Sequence, residues 1–193
     1  MKGRITFGLI AVCVIIFVIQ NLVGLDQFAF TPATAFSEPW TLVTAMFLHA
    51  DINHIFFNMF ALFIFGIYLE GIVSEKTYLL IFFLSGILGN FGYMLTAFDS
   101  MIPAVGASGA IYGLIGTLAA MRPKAVVYVG FFYPMPMAVA AVFYTIVEFL
   151  GLFAPSSIAH GAHLLGMLSG VVVGLYLRRQ HSRPKFIWEN LSS

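Results

Sequence analysis

Six stretches of this chain are apolar enough to lie in lipid, and that limits what the chain can fold into. Hydrocarbon offers no water to backbone N–H and C=O groups, so spanning segments must be helices or a closed barrel. The stretches run over about residues 5–23, 52–69, 78–98, 108–121, 136–153 and 158–177. Most approach the roughly 20 residues a spanning helix needs, and none alternates as short barrel strands would. Composition agrees: 61% of the residues are hydrophobic and 9% charged, where a soluble domain has about 45–50% and about 25%. A net charge of +1 sets up no field for polyanions. A nucleic-acid binder, a disordered tail and a secreted disulfide scaffold are therefore excluded. The single cysteine, Cys13, lies within an apolar run and reads as packing filler. The fold class expected is an all-α polytopic membrane protein, with six transmembrane helices in a compact bundle over residues 1–177. A basic cytoplasmic tail follows at 178–193. The first span continues through Gln20 and Asn21 without a small-x-small site, so it reads as a span, not a cleaved signal peptide.

The basic residues set the orientation. Lys2, Arg4, Lys76, Arg122, Lys124, Arg178, Arg179, Arg183 and Lys185 fall at the N-terminus, in the 2–3 and 4–5 loops and in the tail. An even number of spans puts these positions on one side, and the positive-inside rule makes that side the cytoplasm. Both termini are thus expected on the cytoplasmic side, and the membrane expected is the cell membrane.

Two segments break the pattern. The 1–2 connection, Gly24 to Asp51, is long and carries Phe28, Phe30, Phe36 and Trp40 but no basic residue. It reads as a partly buried platform in the outer interface. The fourth span, Ser108 to Met121, covers only about 20 Å at 1.5 Å per residue, against about 30 Å of hydrocarbon. Its outer end therefore starts inside the membrane, and the 3–4 loop must dip to meet it. Such backbone is tolerated only beside protein or a water-filled cavity, so a polar cavity around Ser108, open to the non-cytoplasmic side, is expected.

Polar side chains at membrane depth are functional candidates. His49, His54 and Asn58 sit at or near the outer end of the second span, and His54 and Asn58 share one helix face. His160 and His163 open the sixth span, and Ser108 opens the fourth. Gly106-Ala107-Ser108-Gly109 reads as a tight turn into a helix, where Ser108 could be no more than an N-cap. The glycines add a constraint. Gly109, Gly113 and Gly116 line the fourth span, and Gly166, Gly170 and Gly174 repeat along the sixth. Small residues so spaced let membrane helices meet backbone to backbone. If these faces meet, Ser108 and His163 stand level, as a nucleophile and its base. His54, Asn58 and the Ser108 N–H could then donate to an oxyanion. Glycines that only pack helices, with histidines as hydrogen-bonded structural groups, explain the same spacing equally well.

Gly106 to Gly113, GASGAIYG, resembles the G-x-S-G motif of the rhomboid intramembrane serine proteases. FLHADINHIFFN, with His49, His54 and Asn58, resembles that family's second-helix motif, and Ala162-His163 with Gly166 and Gly170 its last-helix motif. The resemblance implies a Ser–His dyad without an aspartate, cutting transmembrane segments of other membrane proteins within the bilayer. Ser108 would be the nucleophile and His163 the general base, with Tyr112 packed on the His163 ring. His54, Asn58 and the Ser108 N–H would form the oxyanion hole, and His49, Gly106, Gly109 and Gly166 would support the site. No metal, cofactor, nucleotide or nucleic acid is implied. Thr41 follows Trp40 where the family often has arginine.

Three other readings come from different classes. Catalytically silent rhomboid-like proteins bind membrane clients, but typically lack the serine or histidine kept here. A small transporter would use charges within spans; Glu148, on the fifth span near its outer end, is the candidate, and the sequence offers it no partner. A zinc protease would use the histidines, but H-E-x-x-H is absent.

Overall fold

The computed structural model of the chain describes residues 3–98, 100–129 and 132–181. Six longer helices carry the fold: α1 (Arg4–Val23), α2 (Ile52–Glu70), α3 (Glu75–Thr96), α4 (Ser108–Met121), α5 (Met137–Gly151) and α6 (His160–His181). Helices α1, α2, α3 and α6 are long and apolar enough to cross a membrane, and α4 and α5 are shorter apolar helices. Helix α6 continues beyond the anticipated end at 177 to include Arg178 and Arg179. The remainder of the tail, with Arg183, Lys185, Phe186 and Trp188, lies outside the described residues.

The helix starts show how the bundle closes. Asp51 caps α2 by accepting the His54 N–H at 2.8 Å, and Ser74 caps α3 by accepting the Thr77 N–H at 3.2 Å. Helix α1 begins after Gly3, at φ 93°, without a local side-chain cap. Its cap comes from the far end of α2: Glu70 accepts the Ile5 N–H at 3.0 Å, the Thr6 N–H at 2.9 Å and the Thr6 hydroxyl at 2.7 Å. A carboxylate there satisfies free amides and faces the positive end of the helix dipole. Over Leu62–Gly66 the second helix widens into a π-turn, as membrane and functional helices do locally.

Helix α4 is the axis of the molecule, with eleven of its fourteen residues buried. The reason is its small side chains. A Cβ on Gly166 would run into the Gly109 carbonyl, one on Gly170 into the Gly113 carbonyl, and one on Gly174 into the Thr117 carbonyl. Helices α4 and α6 therefore touch along their backbones, as the glycine spacing requires. Thr117 bridges them, its hydroxyl within reach of the Gly113 carbonyl at 2.9 Å and the Gly170 carbonyl at 3.0 Å. Ser169 of α6 donates to Ser85 of α3 at 2.8 Å. Cys13 is fully buried in the same core.

Two connections differ from a plain loop. The 1–2 connection is a chain of short helical turns, at Asp26–Phe28, Pro32–Thr34, Thr41–Thr44 and Ala45–Phe47. Phe30 is buried and exchanges two backbone hydrogen bonds with Ala104 of the 3–4 loop, while Phe36 and Trp40 are exposed. Thr41 is buried, and its hydroxyl donates to the Glu38 carbonyl at 2.6 Å. Between α4 and α5 the chain forms an antiparallel hairpin, β1 (Val126–Val129) with β2 (Tyr133–Pro136). This hairpin adds to the all-α expectation. Its two prolines, Pro134 and Pro136, are tolerated because a two-stranded ribbon consists only of edges.

Candidate active site

Ser108 is the first residue of α4, and Ala107 occupies the cap position. The serine hydroxyl is thus free of N-capping and instead lies 2.7 Å from His163 Nε2. His163 stands in the first turn of α6, nearly buried, at the level set by the Gly109–Gly166 contact. Gly106 precedes the serine at φ 123°, a conformation that favours glycine. A Cβ there would also come within 2.8 Å of the His54 ring, so Gly106 both turns the chain and admits His54 beside it.

Tyr112, one turn beyond Ser108, lies flat on His163, with ring centroids 4.4 Å apart and planes 6° from parallel. Its hydroxyl donates to Glu148 Oε1 at 2.5 Å. Glu148 Oε2 takes His160 Nδ1 at 2.5 Å and stands 3.0 Å from His163 Nδ1. The transport reading saw Glu148 as an acid without a partner; the structure corrects this, giving it a place among Tyr112, His160 and His163. Beside the Tyr112 ring, His163 thus also has a carboxylate next to its Nδ1, at 3.0 Å. Neither contact was visible in sequence, because Glu148 is 36 residues from Tyr112 and its facing depends on how α5 is rotated.

Asn58 is buried, and its amide donates to the His54 carbonyl at 2.9 Å. One amide N–H remains beyond that bond. Asn58, Phe57, Phe65, Ser108, Tyr112 and Tyr144 line one cavity of about 200 Å³. It shares Phe57, Phe65 and Tyr144 with an apolar groove of about 730 Å³ that runs out past Ile64, Tyr68 and Tyr128. The serine therefore sits where a groove between α2 and α5 narrows. The structure brings Ser108, His163, Tyr112 and Asn58 together, with His54 and Gly106 adjoining.

His49 is held one layer back. It is fully buried, its ring edge-on to His54 with centroids 5.2 Å apart. Its backbone is clamped by Gln20 of α1, which donates to the His49 carbonyl at 2.5 Å and accepts the His49 N–H at 3.1 Å. Sequence reasoning gave Gln20 no such role. A polar residue in an apolar helix was the only available signal. Neither His49 ring nitrogen has an aligned partner among the described residues. Burial, then the neighbouring His54, pushes the imidazole down to about 4.

A family model described as the rhomboid domain matches residues 37–180. The rhomboid protein YdcA of Bacillus subtilis is 31% identical over 147 residues, covering 76% of this chain and 71% of that protein. The rhomboid protease GlpG of an Enterobacter strain is 28% identical over 179 residues, covering 89% of this chain and 62% of that protein. Inactive RHOMBOID-like protein 8 of Arabidopsis thaliana is 34% identical over 87 residues, covering 45% of this chain and 24% of that protein. The matched parts of the last two are thus less than two thirds of their length.

Proposed function

This chain belongs to the rhomboid family of integral membrane proteins, and on that premise we propose that it is an intramembrane serine endopeptidase that cuts transmembrane segments of other membrane proteins. The observation that carries this reading is the 2.7 Å contact between Ser108 Oγ and His163 Nε2 at the narrow end of an apolar groove. Ser108 Oγ attacks the scissile carbonyl as His163 Nε2 takes its proton. The oxyanion is held by the Ser108 N–H, at the open start of α4, together with Asn58 and His54. The C–N bond breaks as His163 returns the proton to the leaving amine, which leaves an acyl-serine. Water, deprotonated by His163, then hydrolyses the ester and restores the hydroxyl. No step calls for a metal or cofactor.

In this reading all six helices cross the bilayer, with both termini on the cytoplasmic side of the cell membrane. Helix α4 begins below the outer surface, and the site opens to the non-cytoplasmic side. Residues 1–177 form the rhomboid unit, and 178–193 its basic tail. Substrates enter from the lipid along the groove between α2 and α5.

The test is cleavage of a single-span reporter in proteoliposomes, beside labelling with a fluorophosphonate probe, for the wild type and for Ser108→Ala and His163→Ala. Cleavage and labelling that disappear in both variants support the reading. The name of the Arabidopsis relative supplies the second reading, a silent protein that binds membrane clients. A folded wild type that neither labels nor cleaves, in lipid as in detergent, would favour it.

A further inference from the structure

The base that activates Ser108 depends on which nitrogen of its ring carries the proton. Nε2 can accept from the Ser108 hydroxyl only if the neutral imidazole holds its hydrogen on Nδ1. That Nδ1 is buried and has no aligned hydrogen-bond partner among the described residues. An N–H left so is costly, and few native structures leave one. The acceptor beside it is Glu148 Oε2, at 3.0 Å.

We propose that Glu148 is a positioning residue for His163, a carboxylate that orients the base of the Ser108–His163 pair from its far side. The inference rests on the endopeptidase reading above. Three observations carry it. The carboxylate is itself fixed, Tyr112 donating to Oε1 and His160 Nδ1 meeting Oε2, both at 2.5 Å. Glu148 is buried, so water does not screen it from the ring. The Tyr112 ring that binds it also stacks on His163, leaving the imidazole little freedom except rotation in its own plane. A small rotation of that kind would align Nδ1–H with Oε2, and hydrogen bonds at resting sites often tighten only when substrate is bound. The carboxylate would select the Nδ1–H tautomer and then stabilise the imidazolium formed when Ser108 loses its proton. The proton taken from Ser108 stays on Nε2 until the leaving amine receives it, and Glu148 takes up none.

The test uses the full chain in proteoliposomes. Glu148→Gln keeps the shape and an acceptor for Tyr112 but removes the charge and can present an amide N–H to His163. A roughly 10²- to 10⁴-fold fall in kcat is expected, since the wrong tautomer costs that order in a triad. KM should change little, fluorophosphonate labelling should slow in parallel, and Glu148→Asp should recover part of the loss. A Glu148→Gln protein with kcat within about threefold of wild type would overturn the proposal, while leaving the protease reading intact if Ser108→Ala is dead. Nitrogen-15 spectra of histidine-labelled wild type, with His163→Ala for assignment, need no Glu148 variant to fold. An Nδ1–H tautomer with a strongly hydrogen-bonded proton supports the positioning role of Glu148, and a resting Nε2–H tautomer overturns it. A wild type that fails to label or cleave would instead sink the endopeptidase reading, and the tautomer would still decide the pairing.

Discussion

The Tyr112 and His163 rings are stacked nearly parallel, 4.4 Å apart, although they come from different helices. The stack fixes the ring plane, and the Tyr112 hydroxyl ties that plane to Glu148. Tyr112→Phe keeps the stack and loses the donor. A hydrogen bond to a charged group is worth roughly 1.5–3 kcal/mol, so kcat should fall by roughly 10- to 100-fold. Tyr112→Ala loses both and should fall roughly 2- to 10-fold further. Equal kinetics for the two variants would mean the ring contributes nothing to catalysis.

Asn58→Ala should slow the reaction without abolishing it. One oxyanion donor is worth about 10²–10³ in rate, and the Ser108 N–H and His54 remain. The measurement is kcat on a transmembrane reporter. A loss as complete as that of Ser108→Ala would contradict a shared hole.

Gly170→Val should destabilise the protein although Gly170 lies two turns from His163. Its Cβ would collide with the Gly113 carbonyl, and overpacking costs typically about 1–3 kcal/mol. Thermal melting in detergent should drop and cleavage should be lost with it. Gly8→Val is the control, because nothing lies within 4 Å of a Cβ there. An unchanged melting temperature for Gly170→Val would argue against backbone contact between α4 and α6.

His49 should make stability fall with acid. Its imidazole ordinarily titrates at 6.5 and is pushed down to about 4 in the fold. Below 6.5 the unfolded chain takes up a proton that the folded chain does not, so stability declines until the folded group also titrates near 4. Above 6.5 the group contributes no slope. His49→Leu should flatten the melting temperature against pH over that window relative to wild type. Identical slopes would show that His49 is not held neutral.

The apolar segments were legible because they follow from short-range rules, whereas the proximity of Ser108 and His163 needed the glycine spacing together with the rhomboid-like motifs, the spacing alone fitting a packing role equally well. A helix in lipid must be apolar for its whole length, and glycines four residues apart leave a helix face open to another backbone. The helix over 108–121 starts just after the Gly106 turn, with Ala107 at its cap, and ends at Arg122. What escaped was set by rotation and long-range contact. Glu148 acquires its meaning from α4 and α6, and Gln20 from a loop 29 residues later. The β1–β2 hairpin escaped for another reason: Val126 to Pro136 is short and holds two prolines, so it lacks the pattern of a strand pair.

The Glu70 cap on α1 has a consequence in time. The amides of Ile5 and Thr6 are satisfied by a carboxylate 65 and 64 residues further along the chain. During synthesis the first helix emerges before its cap exists, and only water can serve those amides. The start of α1 must therefore wait at the hydrated surface until the whole of α2 has been made. The smallest assembly step that leaves no amide wanting is then a two-helix hairpin, latched at its open end, and not a single helix.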